Sequence, residues 1–230
     1  MKRLTALFAA AAAAVSCAAA EVVVLDFNDL DGGDVVRAQY DGVRIFGRRV
    51  LPDGTILRNV NRAMIFDTGE LTGQDADLFG PFTSEDGQST YDAGNILIVS
   101  EDGDGSDPDD SASGGRLVFR FDEAVTFLGF NAFDINAAES IELRLFGIDG
   151  ALITSITNGG RTVGDNGYIS FMDLEVAGVA RAVFRLSGSG GIGDITFDTT
   201  PVPVPGAALL FAPAIAGFGL ARRRRAAQSA

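Results

Sequence analysis

Short stretches of alternating apolar and polar residues run through the middle of the chain. Residues 116–121 and 141–146 alternate between polar and apolar at most positions, as expected of antiparallel strands with one buried face. No window of a dozen residues has the 3.6-residue periodicity of a helix. Turn dipeptides such as Asp41-Gly42 and Asp149-Gly150 separate the stretches. The pattern predicts an all-β domain, folded as a two-sheet β-sandwich or jelly roll.

Ten segments of the chain fit the strand pattern. They are residues 22–27, 43–46, 95–99, 116–121, 125–133, 141–146, 151–156, 168–172, 182–186 and 192–197. The 17 phenylalanines are expected to fill the core between the sheets. The strands span one domain, residues 21–200, a size that suits a single core.

The first twenty residues have the layout of a secretory signal peptide. Lys2 and Arg3 precede an apolar stretch over residues 4–15, and an Ala-x-Ala site ends at Ala20. Cleavage there leaves Glu21 as the new N-terminus and predicts an exported protein. Cys17 leaves lipid attachment as an alternative, although the residues before it make a poor lipoprotein box.

Residues 201–230 form a tail of three parts. A Val-Pro-Val-Pro motif leads into an apolar stretch over residues 206–221, and four arginines follow. The apolar stretch is slightly shorter than the ~17 residues that span a bilayer core, and the arginines resist translocation. The residues expected to direct processing are Ala20, Pro203, Pro205, Arg222, Arg223, Arg224 and Arg225.

This tail resembles the PEP-CTERM group of sorting signals, with Val-Pro-Val-Pro in place of the Val-Pro-Glu-Pro form. The resemblance implies transient membrane insertion and cleavage by an exosortase-type membrane protease. It also implies delivery to the cell envelope, the outer surface or the extracellular matrix. A permanent C-terminal membrane anchor is the alternative.

The charge of the domain is strongly negative. The chain has 18 Lys+Arg and 31 Asp+Glu; the two terminal segments hold six of the basic residues and none of the acids, leaving residues 21–200 at −19. Such a surface repels nucleic acid and attracts divalent cations. The chain has no histidine, and its single cysteine lies in the signal peptide. Imidazole, thiolate and zinc chemistry are therefore excluded from the domain, and we expect no enzyme.

Four segments of the domain resemble exported jelly-roll domains that often precede PEP-CTERM tails. They are residues 27–32, 40–46, 94–101 and 191–197. The resemblance implies a galactose-binding-like sandwich in which the first and last strands share a structural calcium. This chain departs from the pattern at Gly193, where an acidic residue is expected, and Asp194 points to the opposite face. Asp26, Asn28 and Asp194 are therefore secondary candidates for an ion site.

Two acidic loops supply the main candidates for calcium binding. Calcium takes six to eight hard oxygen ligands, and aspartates spaced by glycines supply them on a turning backbone. The spacing Asp102-x-Asp104-x-Ser106 begins like an EF-hand loop but fails at Asp107 and Ser113. A solvated acidic loop without an ion is the alternative, and magnesium is less favoured. The expected ligands are Asp102, Asp104, Asp107, Asp109, Asp110, Asp75 and Asp77.

These patterns predict an exported, calcium-stabilised surface or matrix module with a structural or adhesive role. One alternative is a carbohydrate-binding module whose partner is an extracellular polysaccharide. Tyr91 is then the aromatic to test for sugar stacking, although the absence of tryptophan weakens this interpretation. A polysaccharide-degrading enzyme with paired carboxylates is a less favoured alternative.

Overall fold

The structure, a computed structural model, describes residues 21–70 and 75–199. The predicted signal peptide and C-terminal sorting segment, with all their processing residues, lie outside the described residues. The described part contains one 3₁₀ turn, Ala76–Leu78, and no helix long and apolar enough to cross a membrane. Its strands are β1 (Val22–Leu25), β2 (Val43–Arg49), β3 (Ala63–Asp67), β4 (Phe82–Ser84), β5 (Thr90–Tyr91), β6 (Asn95–Val99), β7 (Gly115–Phe133), β8 (Ile141–Phe146), β9 (Leu152–Thr157), β10 (Gly167–Phe171), β11 (Val176–Leu186) and β12 (Gly191–Asp198).

The strands form two sheets that share one long strand. The first half of β7 pairs with β2 on one side and β11 on the other, and β8 and β9 extend this first sheet beyond β11. The second half of β7 lies between β12 and β10 in the second sheet, ordered β3-β6-β12-β7-β10-β4-β5. Strand β1 pairs with the C-terminal half of β12. The all-β, two-sheet sandwich of the jelly-roll class predicted from the sequence is thus confirmed.

Phenylalanines fill the core between the two sheets. Phe184 of β11 packs edge-on against Phe119 and Phe130, with ring centroids 5.5 and 4.9 Å away. Phe130 also stacks on Phe171 of the second sheet, at 4.6 Å. Fully burying one such side chain stabilises the fold by about 1.5–3 kcal/mol. Because successive side chains of a strand point to opposite faces, burying one set of residues in this core places the residues between them on the outer face.

The second sheet is buried on both faces at its β3–β6 edge. Met64, Phe66, Ile96, Ile98 and Phe133 point away from the main core into a smaller cluster. The segment that carries β4, β5 and the 3₁₀ turn covers this cluster with Leu78 and Phe82. Because both faces are buried, β6 is apolar at almost every position instead of alternating.

The observed strands differ from the predicted ones in two ways. Strands β3, β4 and β5 were not predicted; β3 is almost wholly buried and β4 and β5 are very short, so none has a clear alternating pattern. The predicted strands 116–121 and 125–133 are one continuous strand, because β7 passes from one sheet to the other. Asp122 and Glu123 have the composition of a turn but lie exposed within that strand.

Candidate functional site

The predicted calcium loop uses its first aspartates to hold its own backbone. Asp102 accepts a hydrogen bond from the backbone N–H of Asp104 at 2.7 Å. Asp104 accepts two from Ser106, at 2.9 Å from the backbone N–H and 2.7 Å from the hydroxyl. The hydroxyl bond to Ser106 lowers the pKa of Asp104. Both carboxylates are exposed, as is Asp107, and they stabilise the turns of this loop locally.

Asp110 turns inward at the end of the same loop. Its backbone N–H donates to Asp75 Oδ2 at 2.7 Å, while its own carboxylate accepts from the Ser189 hydroxyl at 2.9 Å and from the backbone N–H of Gly190. Burial raises the pKa of Asp110 to about 7 and that of Asp75 to about 6. Burial also raises the pKa of Asp109, beside three other acids.

Ser189 links Asp110 to Asp134, which follows directly after β7. The Ser189 hydroxyl lies 2.9 Å from the Oδ2 atoms of both carboxyl groups. It has one proton to donate, so both contacts are hydrogen bonds only when one carboxyl group is itself protonated. Asp134 is fully buried, and this burial raises its pKa to about 7. Burial thus raises the pKa of both carboxyl groups that Ser189 links.

Asp77, Asp134 and Asp165 bring one carboxylate oxygen each within 4.8 Å of one another. In residues 21–70 and 75–199, this is the only such group of metal-ligating side chains. Three hard oxygens from three separate segments fit the donor chemistry of calcium. Of the seven predicted ligands the group includes Asp77 alone. We call Asp75, Asp77, Asp110, Asp134 and Asp165 the acidic cluster.

Sequence reasoning did not identify Asp134 and Asp165 as neighbours of Asp77. Asp134 lies at the end of β7 and Asp165 in the turn before β10. Strands β7 and β10 are antiparallel, and Phe133 is paired with Tyr168, so the two aspartates meet at one end of the second sheet. The one signal in the sequence is that each follows or precedes a strand.

The secondary ion candidates and Tyr91 are engaged with other residues. Asp194 accepts hydrogen bonds from the Tyr91 hydroxyl and from Asn131 Nδ2, both at 2.6 Å. The Tyr91 ring packs against Phe133 and Tyr168, with ring centroids 6.3 and 5.5 Å away. Asn28 accepts from the backbone N–H of Asn95, and Asp26 from that of Asn28. Tyr91 thus contributes to the smaller apolar cluster and does not project as a stacking platform.

Arginines cover the outer face of the first sheet, a feature that sequence reasoning missed. The strand registers align them in rows across the sheet. The upper row is Arg44, Arg120, Arg181 and Phe146 on β2, β7, β11 and β8; the middle row is Phe46, Val118, Val183 and Arg144; the lower row is Arg48, Arg116, Arg185 and Glu142. These rows, which we call the arginine face, contain seven arginines and one acid.

Glu142 and the rings of Phe46 and Phe146 contact arginines of this face. Glu142 pairs with Arg185 at 3.3 Å and lies 3.7 Å from Arg144 Nε. The guanidinium carbons of Arg181 and Arg144 lie 4.1 and 5.5 Å from the centroid of the Phe146 ring. Such cation–π contacts hold guanidinium groups in place without neutralising them. The face is therefore ordered but keeps most of its positive charge.

The arginines surround a depression of about 190 Å³ floored by Val118 and Val183. Burial and the neighbouring arginines lower the pKa of Arg116, a sign of mutual repulsion. The buried Nε atoms of Arg144, Arg181 and Arg185 have no hydrogen-bond partner among the described residues. Guanidinium groups donate in a planar fork that fits carboxylate, sulfate or phosphate oxygens. The depression therefore has the chemistry of an anion-binding site.

The sequence contains a partial signal for this face. In β2, β7 and β11, pairs of arginines recur four residues apart and alternate with core residues, as in Arg116 and Arg120. Alternation alone places each pair on the polar face of its own strand. Which strands lie side by side, and in which register, depends on long-range pairing that one strand's sequence does not contain.

A separate polar cavity of about 330 Å³ lies beside β10. Hydroxyl and charged groups line it together with Tyr168. Its one arginine, Arg161, is paired with Glu85 at 2.7 Å and lies over the Phe171 ring. Because Glu85 and Asp86 also line it, this cavity has no excess of positive charge.

Comparisons with known proteins find distant structural neighbours. No family model and no curated protein matches the chain. One solved neighbour is a mutant of CBM29-2, a family 29 carbohydrate-binding module. It has 9% identity and a TM-score of 0.34, and the match covers 80% of this chain and 94% of that one. Another is the enzymatically active domain of tailspike protein 4 from bacteriophage CBA120, with 12% identity and a TM-score of 0.31. That match covers 74% of this chain but only 21% of the tailspike chain. At these scores neither neighbour assigns a ligand to this protein.

Proposed function

We propose that this domain is a carbohydrate-binding module that holds an anionic polysaccharide on its arginine face. The observation that carries the proposal is the alignment of seven arginines with one glutamate on a single sheet face. Like charges placed directly opposite on neighbouring strands destabilise a sheet. The arginines of this face repel one another although the net charge of the protein is negative. An anionic ligand would relieve it.

The exported, adhesive role predicted from the sequence agrees with such a site. Binding of a matrix or surface polymer needs a firm, multivalent contact and no chemical step. The acids that an enzyme would require are mostly engaged in hydrogen bonds to backbone or hydroxyl groups, as for Asp102 and Asp104. Sorting by an exosortase-type protease and stabilisation by calcium remain parts of the proposal.

The binding test uses the purified full chain and two polymers. We expect retention by polygalacturonate, a carboxylated polysaccharide, and none by the neutral polymer dextran. Affinity should fall as NaCl rises, because ions screen charge pairs at the protein surface. The double substitution Arg116→Gln with Arg185→Gln should weaken binding about tenfold or more, since each charge-assisted contact contributes about 1.5–3 kcal/mol.

A second double substitution controls for net charge. Arg62→Gln with Arg161→Gln removes the same charge away from the arginine face and should leave affinity within about twofold. Equal losses in both variants would mean that net charge alone sets binding. A loss confined to the control would move the site to the cavity beside Tyr168. Absence of polygalacturonate binding by the unchanged protein would refute the proposal.

A further inference from the structure

The rows of the arginine face run across the strands. In the lower row, Arg48, Arg116 and Arg185 occupy paired positions on three adjacent strands. Adjacent strands lie about 4.8 Å apart, so backbone positions that bear positive charges repeat at that interval. The upper row repeats the arrangement with Arg44, Arg120 and Arg181, four residues along each strand. Each row is therefore a short ladder of evenly spaced arginine positions.

We infer that the arginine face selects a linear polysaccharide that carries a carboxylate or sulfate on every sugar and lies along these rows, perpendicular to the strands. The inference rests on the proposed function and adds the class of polymer. Arginine positions about 4.8 Å apart suit a polymer whose sugar units repeat at a similar interval and each carry an anion. A polymer with one anion on every second sugar leaves alternate arginines without a partner.

Charge density argues against duplex nucleic acid as the ligand. Double-stranded DNA carries one negative charge per about 1.7 Å of its axis. That figure counts both strands and exceeds the density of a row by nearly threefold, so a duplex brings more phosphates than a row has arginines. The domain as a whole, at a net −19, repels those phosphates. A polymer of lower charge density meets less of this repulsion.

Glu142 marks where the lower row ends. It occupies the β8 position of that row, next to Arg185, and accepts a hydrogen bond from Ser155 at 2.9 Å. A polyanion that follows the lower row therefore meets a carboxylate after three arginines. Replacing Glu142 with glutamine keeps the shape of the side chain, removes the negative charge, and releases Arg144 and Arg185 from their acidic neighbour.

The experiment measures the affinity of the full chain for polymers that differ in charge interval. The probes are fully de-esterified polygalacturonate, the same polymer half methyl-esterified, hyaluronate with one carboxylate per two sugars, and a 20-base-pair DNA duplex, each at 50 and 200 mM NaCl. We expect the affinity for de-esterified polygalacturonate, divided by the number of negative charges on the probe, to be at least tenfold higher than for the other three probes. Glu142→Gln should strengthen that binding about threefold, whereas Glu85→Gln, away from the face, should not change it.

The outcomes separate this inference from the proposed function. In one outcome, hyaluronate and polygalacturonate bind equally tightly per negative charge while Arg116→Gln/Arg185→Gln still abolishes binding. That result would overturn the selection for an anion on every sugar and leave the binding site in place. An unchanged affinity in Glu142→Gln would likewise refute the alignment along the lower row. Tighter binding of the DNA duplex would overturn both proposals in favour of nucleic acid. No binding of any polymer would also overturn both.

Discussion

The arginine face and the acidic cluster are opposite in charge and also in how their side chains are used. The acids lie at strand ends and in loops, and Asp75, Asp110 and Asp134 accept hydrogen bonds from backbone, hydroxyl or amide groups. The arginines lie in the middle of strands, and three of them keep a buried Nε without a hydrogen-bond partner among the described residues. Thus the acids are held by hydrogen bonds within the fold, whereas these arginines have donors that the described residues leave unused.

This difference predicts that the two regions control different properties. Substitutions in the acidic cluster should change stability and its dependence on ions and pH. Substitutions on the arginine face should change ligand binding and leave stability nearly unchanged or slightly improved. Each of the following tests measures stability on one side of the comparison.

Calcium should produce the largest stability effect. An ion that binds only the folded state at a hundredfold excess over its Kd stabilises by about 2.7 kcal/mol. We expect millimolar Ca²⁺ to raise the melting temperature by several degrees, and Asp77→Asn to abolish most of the rise. Asp104→Asn should preserve it, because Asp104 lies outside the group formed by Asp77, Asp134 and Asp165.

Differential scanning calorimetry with NaCl of matched ionic strength decides whether this effect is specific. The arginine pair Arg116→Gln/Arg185→Gln should respond to Ca²⁺ as the unchanged protein does. An equal rise with NaCl would show screening of repulsion in place of an ion site. A loss of the calcium effect in Asp104→Asn would return the site to the exposed loop predicted from the sequence.

The pH dependence of stability should come next in size. The pKa of Asp110 is about 7 in the folded state, above the value of about 3.9 in an unfolded chain. The folded state therefore binds more protons between these values, so this contribution is complete below about pH 4 and is lost as pH rises through 7. In EDTA, we expect the free energy of unfolding to fall by about 2 kcal/mol from pH 5 to pH 8.

Asp110→Asn tests the source of this dependence. Asparagine keeps an oxygen that can accept from Gly190 and cannot ionise, so the fall in unfolding free energy should become clearly shallower. Asp75 and Asp77 raise the pKa of Asp110 further, and Asp134 shares Ser189 with it, so part of the slope should remain. Urea unfolding at each pH gives the free energies. A slope identical to that of the unchanged protein would rule out Asp110 as its source.

The smallest effect should be a gain in stability on the arginine face. Arg116 and Arg185 are directly paired across β7 and β11, and cross-strand pairs contribute about 0.2–1 kcal/mol. Arg116→Gln/Arg185→Gln should therefore raise the unfolding free energy by about 0.5 kcal/mol at low salt. The gain should vanish in 0.5 M NaCl, because salt screens exposed charges. Destabilisation at low salt would show that these arginines support the fold.

The fold was predictable because its evidence is local. Alternation in segments such as 141–146 identifies half-buried strands, and glycine turns such as Gly54 and Gly150, both with positive φ, mark their ends. The bend of β7 and the strand β3 were not predictable in this way. The first depends on which strands flank each half of β7, and the second on a segment that covers the far face of the second sheet.

The candidate sites were less predictable, for the same reason. A dense run of aspartates such as Asp102, Asp104 and Asp107 stands out along the chain. Asp77, Asp134 and Asp165 are separated by dozens of residues, and only folding brings them within 4.8 Å. The seven arginines of the face are spread from Arg44 to Arg185 and form no run of charge. The high density of aspartates along the sequence therefore favoured the loop whose first aspartates accept hydrogen bonds from their own turns.

By itself, the sequence determined the β class of the domain, the position of its core residues and the sign of its net charge. These properties depend on residue type and on the two-residue period of a strand. That period is the same whichever strand lies next to it. Tertiary structure alone decided which like charges became neighbours. Register and strand order place Arg48, Arg116 and Arg185 side by side, because burial of the phenylalanine core fixes which residues of β2, β7 and β11 face outward.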